Sequence, residues 1–217
     1  FLFFLNFAIL TYFPALGFPL TEPRNYFFAN LLYMTVNFAV MLLIFRRTLW
    51  QSLREFEGKM LLSVLIGFGM CYGANLVLTT AYTVLDIMPE NYNQEAVNSL
   101  LGGYPLAMTL CTVVLAPLAE ECLFRGVLFA PLARRCLPAA YALSMFLFAG
   151  MHVFQFLGSM TAANTILCLS LYLPASFSLC WVYQKTGNIW ACIFLHMFIN
   201  FQSVLASLLR SLMQAFL

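Results

Sequence analysis

An all-α bundle of membrane-spanning helices is the fold class that this sequence predicts, and three observations carry it. The 217 residues are 63% hydrophobic and 8% charged, where soluble domains run at roughly 45–50% apolar and about 25% charged. So few charges cannot coat a water-soluble globule of this size. The apolar residues form continuous runs close to the ~20 residues that a helix needs to cross hydrocarbon, not the alternation of barrel strands. The basic residues gather in alternate connections between these runs, and so on one side.

Taken in order, the runs are 1–20, 27–45, 60–85, 104–131, 139–155, 161–183 and 189–209. They give a polytopic bundle of about seven spans, with an eighth allowed for in a full-length chain. The first run carries Pro14 and Pro19 and is the weakest helix. The fourth begins after Gly102-Gly103 and contains Pro117, which predicts a kink or break. No internal repeat marks an inverted-repeat transporter. Residues 1–217 read as a single membrane-embedded helical domain, with a motif-bearing core at about 99–209.

Charge sets the expected orientation. Arg46, Arg47, Arg54, Lys59, Arg134, Arg135 and Lys185 fall on one side of the seven-span arrangement. Arg24 and Arg210 fall on the other, with Asp86, Glu90 and Glu95. The positive-inside rule makes the first side cytoplasmic, which puts the N-terminus of this piece inside. Residues 51–59, preceded by Trp50, read either as an interfacial segment or as a solvated loop. Residues 86–98 read as an external loop or a short surface helix.

Several classes are excluded. Disorder needs low hydrophobicity and high charge. Nucleic-acid binding lacks its basic patch, since net charge is only +2. The seven cysteines contain no CxxC pair and sit in apolar runs, as small buried hydrophobes rather than a disulfide framework. There is no basic n-region with a cleavage site, so no cleavable signal is expected, and the chain reads as part of a longer one.

Three places break the apolar pattern. Glu120, Glu121 and Arg125 lie deep in the fourth span, where each charge costs about 2.5–3.5 kcal/mol on insertion scales. Glu121 and Arg125 are four apart and face each other. Glu120 is rotated roughly 100° away, which leaves it free for chemistry. The chain's two histidines, His152 and His196, both fall inside predicted spans. Phe148 and His152 share one helix face, as do His196 and Asn200. At ~1.5 Å per residue from the cytoplasmic end, Glu120 lies about 17 Å up, His152 about 20 Å, His196 about 10 Å and Asn200 about 17 Å. The groups are expected to converge near mid-membrane, somewhat toward the cytoplasm.

Two mechanisms fit these residue types. Glu120, His152 and His196 match the one-carboxylate, two-imidazole ligand set of hydrolytic zinc sites, although the HExxH helix is absent. Alternatively, Glu120 is a general base on a water held by His152, and His196 and Asn200 stabilise the oxyanion. Either gives amide hydrolysis inside the bilayer, and the residues alone leave both open.

At these positions the chain resembles the CAAX prenyl endopeptidase and bacteriocin-processing (CPBP) intramembrane protease family. That family is marked by EExxxR, FxxxH and HxxxN/D motifs on successive helices. Here they read Glu120-Glu121-xxx-Arg125, Phe148-xxx-His152 and His196-xxx-Asn200. Ala116-Pro117-Leu118-Ala119 and Phe124-Arg125-Gly126 flank the first motif, and Thr186-Gly187-Asn188-Ile189-Trp190 precedes the last. The resemblance covers roughly residues 115–201. It implies an α-helical membrane protease with Glu120, His152, His196 and Asn200 catalytic and Glu121, Arg125 and Phe148 supporting. It implies Zn2+ held by Glu120, His152 and His196, or metal-free water activation in its place. The implied partners are a membrane-associated peptide or protein substrate and the lipid bilayer, and the implied location is the bacterial plasma membrane.

Two other classes compete. A proton-coupled transporter would also carry intramembrane Glu, His and Arg, and a non-catalytic immunity or binding protein would use the cluster as scaffold. Cys122, beside Glu121, reads as a packing residue rather than a nucleophile. Asn164 reads as a helix-to-helix hydrogen-bonding group more than a cavity residue.

Overall fold

The computed structural model describes residues 2–215. The elements are α1 (Leu2–Ala15), α2 (Pro23–Arg54), α3 (Met60–Val84), α4 (Tyr92–Gly103), α5 (Pro105–Ala133), α6 (Leu137–Ser159), α7 (Ala162–Thr186) and α8 (Ile189–Ala215). The last six residues of α6, from Phe154, form a 3-10 segment. No strand occurs among the described residues. Among the described residues, six helices are long and apolar enough to cross a bilayer: α2, α3 and α5 to α8.

The first expected span falls short. Helix α1 has 14 residues, about 21 Å at 1.5 Å each, against a hydrocarbon core of about 30 Å. Pro14 lies in its last turn, and Gly17 then turns the chain with a φ of +87°. The cytoplasmic N-terminus expected from seven spans depended on this crossing. The sorting of basic loops does not, because it rests on α2 to α8 alone.

Helix α2 begins with Pro23 at its first turn, where a missing N–H costs nothing. It runs past Trp50 to Arg54, so the first part of segment 51–59 prolongs the span and only the rest is loop. Of the two readings for 86–98, the short helix is found, as α4 after a loop. The break expected at Gly102-Gly103 occurs one residue later. Tyr104 leaves helical geometry (φ −138°, ψ 59°) because the ring of Pro105 disfavours a helical predecessor.

Pro117 does not break α5. The helix widens to π geometry over Cys111–Leu115, and the Ala116 N–H bonds the Cys111 carbonyl, one residue further back than in an α-helix. Pro117 has no N–H, so the Thr112 carbonyl is left without a helical donor. The device recurs over Cys122–Phe129, where the Ala130 N–H bonds the Arg125 carbonyl and Pro131 follows. The two glutamates lie on the α-helical segment Ala116–Glu121 between these π stretches.

Lipid tails provide no hydrophobic force between helices, so close approach relies on small residues. A Cβ on Gly67 of α3 would stand 2.7 Å from Val182 of α7, and one on Gly126 of α5 would stand 2.8 Å from Phe45 of α2. Helix α8 packs against α2, α3, α5 and α7. At the basic end the core is dry: Phe124, Phe148, Leu179 and Leu195 form one cluster, and Met41, Leu118, Cys122 and Ile193 another. At the opposite end Phe27, Leu100, Leu101, Met108 and Val204 tie α2, α4, α5 and α8 together. All seven cysteines are free thiols, and only Cys136 is exposed.

The α7–α8 connection is built by Thr186-Gly187-Asn188. Gly187 takes the left-handed conformation (φ 61°) that closes α7. Asn188 Oδ1 then accepts from the Trp190 and Ala191 N–H groups, capping α8. Ser52 Oγ donates to Asn188 Oδ1 at 2.9 Å, Asn188 Nδ2 donates to the Ser52 carbonyl at 2.7 Å, and Trp190 Nε1 donates to the Leu49 carbonyl. The start of α8, and hence the height of His196, is fixed to the end of α2.

Candidate active site

Adjacent carboxylates on α5 meet different surroundings. The Glu121 side chain is fully buried, and its Oε1 accepts from Arg125 Nη1 at 3.1 Å. Arg125 Nη2 donates to the Ser176 carbonyl and hydroxyl on α7, at 3.1 and 3.2 Å. Glu120 retains 16% exposure, and its Oε2 has no hydrogen-bond partner. The division expected from helical rotation is thus present, with one carboxylate paired in the protein interior and the other facing open space.

Glu121 also does more than hold Arg125. Its Oε1 lies 2.8 Å from His196 Nδ1. Glu121 Oε1 accepts a hydrogen bond from the Nδ1–H and so fixes the ring's orientation. His196 Nε2 then points at Glu120, with 3.8 Å to Oε2, beyond hydrogen-bond reach. The contact between His196 and Glu120 shows that the 10 Å and 17 Å depth counts converge once side chains reach toward each other.

Phe148 joins both histidines to this network. Its ring lies 4.8 Å from that of His152 and meets His196 edge-on at 5.6 Å. The Arg125 guanidinium sits 5.1 Å from its centroid, within cation–π range. Its backbone carbonyl pairs with His152 Nδ1 at 2.9 Å. A carbonyl only accepts, so Nδ1 carries the proton and a neutral His152 keeps its lone pair on Nε2. Tyr172 of α7 stacks on the other side of His152, 4.4 Å between ring centres.

Asn200 takes the role that Pro117 creates. Its Nδ2 donates to the Thr112 carbonyl at 2.8 Å, the oxygen that the π segment leaves without a helical donor. This fixes the amide's orientation and leaves one N–H for other use. Glu120, His152 and Asn200 line one cavity of about 200 Å³. His196 does not line it, and stands behind Glu120 with Nε2 3.8 Å from Oε2.

Among the described residues, no three His, Cys, Asp or Glu side chains are gathered closely enough to hold a metal ion. The expected trio of Glu120, His152 and His196 is not drawn into a coordination sphere in this arrangement. Cys122 is wholly buried in the core. Asn164 exchanges two hydrogen bonds with the backbone of Glu90, 2.9 and 3.0 Å, and so pins the loop before α4.

Sequence reasoning missed Tyr33, Tyr172, Thr112 and Ser176. Tyr33 and Tyr172 line the cavity. With ten tyrosines in the chain, no spacing distinguishes these two. Thr112 was not legible, because a proline in an α-helix orphans the carbonyl four residues back, that of Val113, and only the π segment moves the gap to Thr112.

Comparison with known proteins gives a family and a relative. Residues 102–202 match the family described as type II CAAX prenyl endopeptidase Rce1-like. The chain is 28% identical over 166 residues to a Bacillus subtilis (strain 168) protein named "Putative membrane peptidase YdiL". That alignment takes in 74% of this chain and 64% of the relative, so the chain spans less than two thirds of the length of the curated relative it matches. No solved structure matches it.

Proposed function

We propose, from the match of residues 102–202 to the type II CAAX prenyl endopeptidase Rce1-like family, that this chain is an intramembrane endopeptidase whose nucleophile is a water activated by Glu120. One observation carries this reading: of the two motif carboxylates, Glu120 alone opens into the cavity that His152 and Asn200 share.

The reaction follows from the donors and acceptors present. A water in the cavity gives one hydrogen bond to the lone pair of His152 Nε2 and its other proton to Glu120. As that proton leaves, the water oxygen bonds to the scissile carbonyl carbon, and the carbonyl oxygen becomes an oxyanion. The free N–H of Asn200 stabilises this charge in a site of low dielectric. Glu120 then passes its proton to the leaving nitrogen as the C–N bond breaks. Glu121 and Arg125 are positioning residues, holding His196 and the helix that carries Glu120.

The substrate is a membrane-associated peptide or protein, to be tried with and without a prenyl group, given the family's description. The seven-to-two sorting of basic residues and the Bacillus relative support a bacterial plasma membrane with the basic loops cytoplasmic.

The test is cleavage by purified protein in lipid nanodiscs, read by mass spectrometry on prenylated and unprenylated membrane peptides, wild type against Glu120→Gln. Elemental analysis runs on the same samples with His152→Ala and His196→Ala. Cleavage that Glu120→Gln removes is the expected result. Near-stoichiometric zinc, lost in both folded histidine variants, would replace this mechanism with a metal-bound water. No cleavage of any peptide by wild type would leave a binding protein.

A further inference from the structure

The cavity is one-sided. On α5 its lining runs from Glu120 through Ala116 and Thr112 to Met108, toward the Pro105 end, and takes nothing from Leu123 onward. On α2 it uses Tyr26, Asn30, Tyr33 and Met34, all in the first half of a helix that ends at Arg54. On α8 it uses Asn200, Ser203 and Val204 but no residue before them, and on α6 only positions from Met151 onward. Every helix places the open space on the α4 side of Glu120.

The other side is sealed. Between Glu120 and the basic loops stand the Glu121–Arg125–Ser176 network and the dry clusters around Phe124, Phe148 and Leu195. A hydrated peptide has no polar route through them, because unpaired backbone groups are costly in such an environment. Toward α4 the lining turns polar, with Asn30, Asn93, Gln94 and the exposed Gln155. The helix that borders this mouth is held in place by hydrogen bonds: Tyr172 donates to Asn91, and Ser203 donates to Gln94.

The two ends of the bundle differ in charge as well. The sealed end carries seven of the ten Lys and Arg residues, and the open end carries Arg24 and Arg210 beside Glu22, Asp86, Glu90 and Glu95. Positive residues stay cytoplasmic during insertion. We therefore infer that the active-site cavity opens to the extracytoplasmic side of the membrane, and that its substrate is a peptide segment presented from that side, not a cytoplasmic C-terminus. The inference rests on the endopeptidase reading for what enters the cavity, but not for the side from which it enters.

The protein carries its own control, since Cys136 is the exposed cysteine among the seven and lies between the basic residues Arg134-Arg135 and α6. Gln155→Cys places a thiol at the cavity mouth, and Glu120→Cys places one at its floor. Intact bacterial spheroplasts expressing each full chain are treated with a membrane-impermeant maleimide (for Gln155→Cys) or a small impermeant methanethiosulfonate (for Glu120→Cys). Expected is modification of both introduced thiols in intact cells, with Cys136 reacting only after permeabilisation. Cys136 modified in intact cells with the introduced thiols protected would overturn the inference, as would introduced thiols that stay unreactive on both sides. Because the readout is labelling, an absence of any peptide cleavage would count against the endopeptidase reading and leave the sidedness standing.

Discussion

Glu120 and Glu121 are neighbours in the chain and strangers in the fold. One step along a helix turns a side chain by about 100°, and here that rotation separates a cavity from a dry interior. Glu121 has no exposed surface and shares one oxygen between Arg125 and His196. Glu120 keeps 16% of its surface and lines the cavity; each carboxylate has an Oε2 without a hydrogen-bond partner, but only Glu121 has an Oε1 held by two protein groups. The difference teaches that a carboxylate in a membrane is structural when its charge is answered by protein groups and reactive when it is left facing a hollow. Each substitution below breaks or sharpens that contrast.

The largest effect is expected at Glu120. Glu120→Gln preserves shape and removes the base, so turnover in the nanodisc assay should fall by about 10²–10⁴-fold, the usual contribution of general acid–base groups. Its thermal unfolding midpoint should stay at or above that of wild type, because the change deletes a poorly satisfied charge. A folded Glu120→Gln protein with full activity would end the assignment. Arg125→Ala attacks the other carboxylate. It strands Glu121 in the interior, and breaking a buried pair in this way costs roughly 3–5 kcal/mol. The expected result is loss of folded protein on size-exclusion chromatography, before any kinetic question arises.

Asn200→Ala comes next and touches both regions. Loss of an oxyanion donor lowers the turnover number by about 10²–10³-fold. The Thr112 carbonyl also loses its donor, for which a penalty of about 1–3 kcal/mol is expected. The two losses separate in a second variant. Pro117→Ala restores an N–H near Thr112, so the Asn200→Ala/Pro117→Ala protein should regain stability without regaining turnover. Recovery of turnover as well would mean that Asn200 acts only by supporting the π segment.

How far the sequence foretold this site follows from the same physics. Spacing of four on a helix was enough to pair Glu121 with Arg125 and to free Glu120, because that relation is local. Composition and the positions of basic residues were enough for a helical membrane bundle. What could not be read were contacts between helices that are distant in sequence: His196 leaning on Glu121, Phe148 lying between two histidines and an arginine, and Tyr172 covering His152. Pro117 misled in a specific way. A proline in a helix suggests a break, but widening to π geometry moves the cost to one carbonyl, and Asn200 on α8 meets it. The first run, already the weakest for its Pro14 and Pro19, falls short because Pro14 and then Gly17 end the helix after 14 residues.

The smallest effect is expected far from the carboxylates, where the registry of α8 is set. Asn188 caps that helix and grips Ser52, so Asn188→Ala loses the cap, about 1 kcal/mol, and leaves Ser52 with one partner fewer. Asn188→Asp keeps the acceptor that caps Trp190 and Ala191 but loses the bond to the Ser52 carbonyl. If the cap alone matters, the aspartate variant should unfold at the wild-type temperature. If the α2 contact sets the height of His196 against Glu120, both variants should lose turnover by a similar factor while differing in stability. Equal activity in both variants and wild type would show that the Glu121 contact at 2.8 Å is sufficient by itself to place His196, and that the cap serves the helix rather than the site.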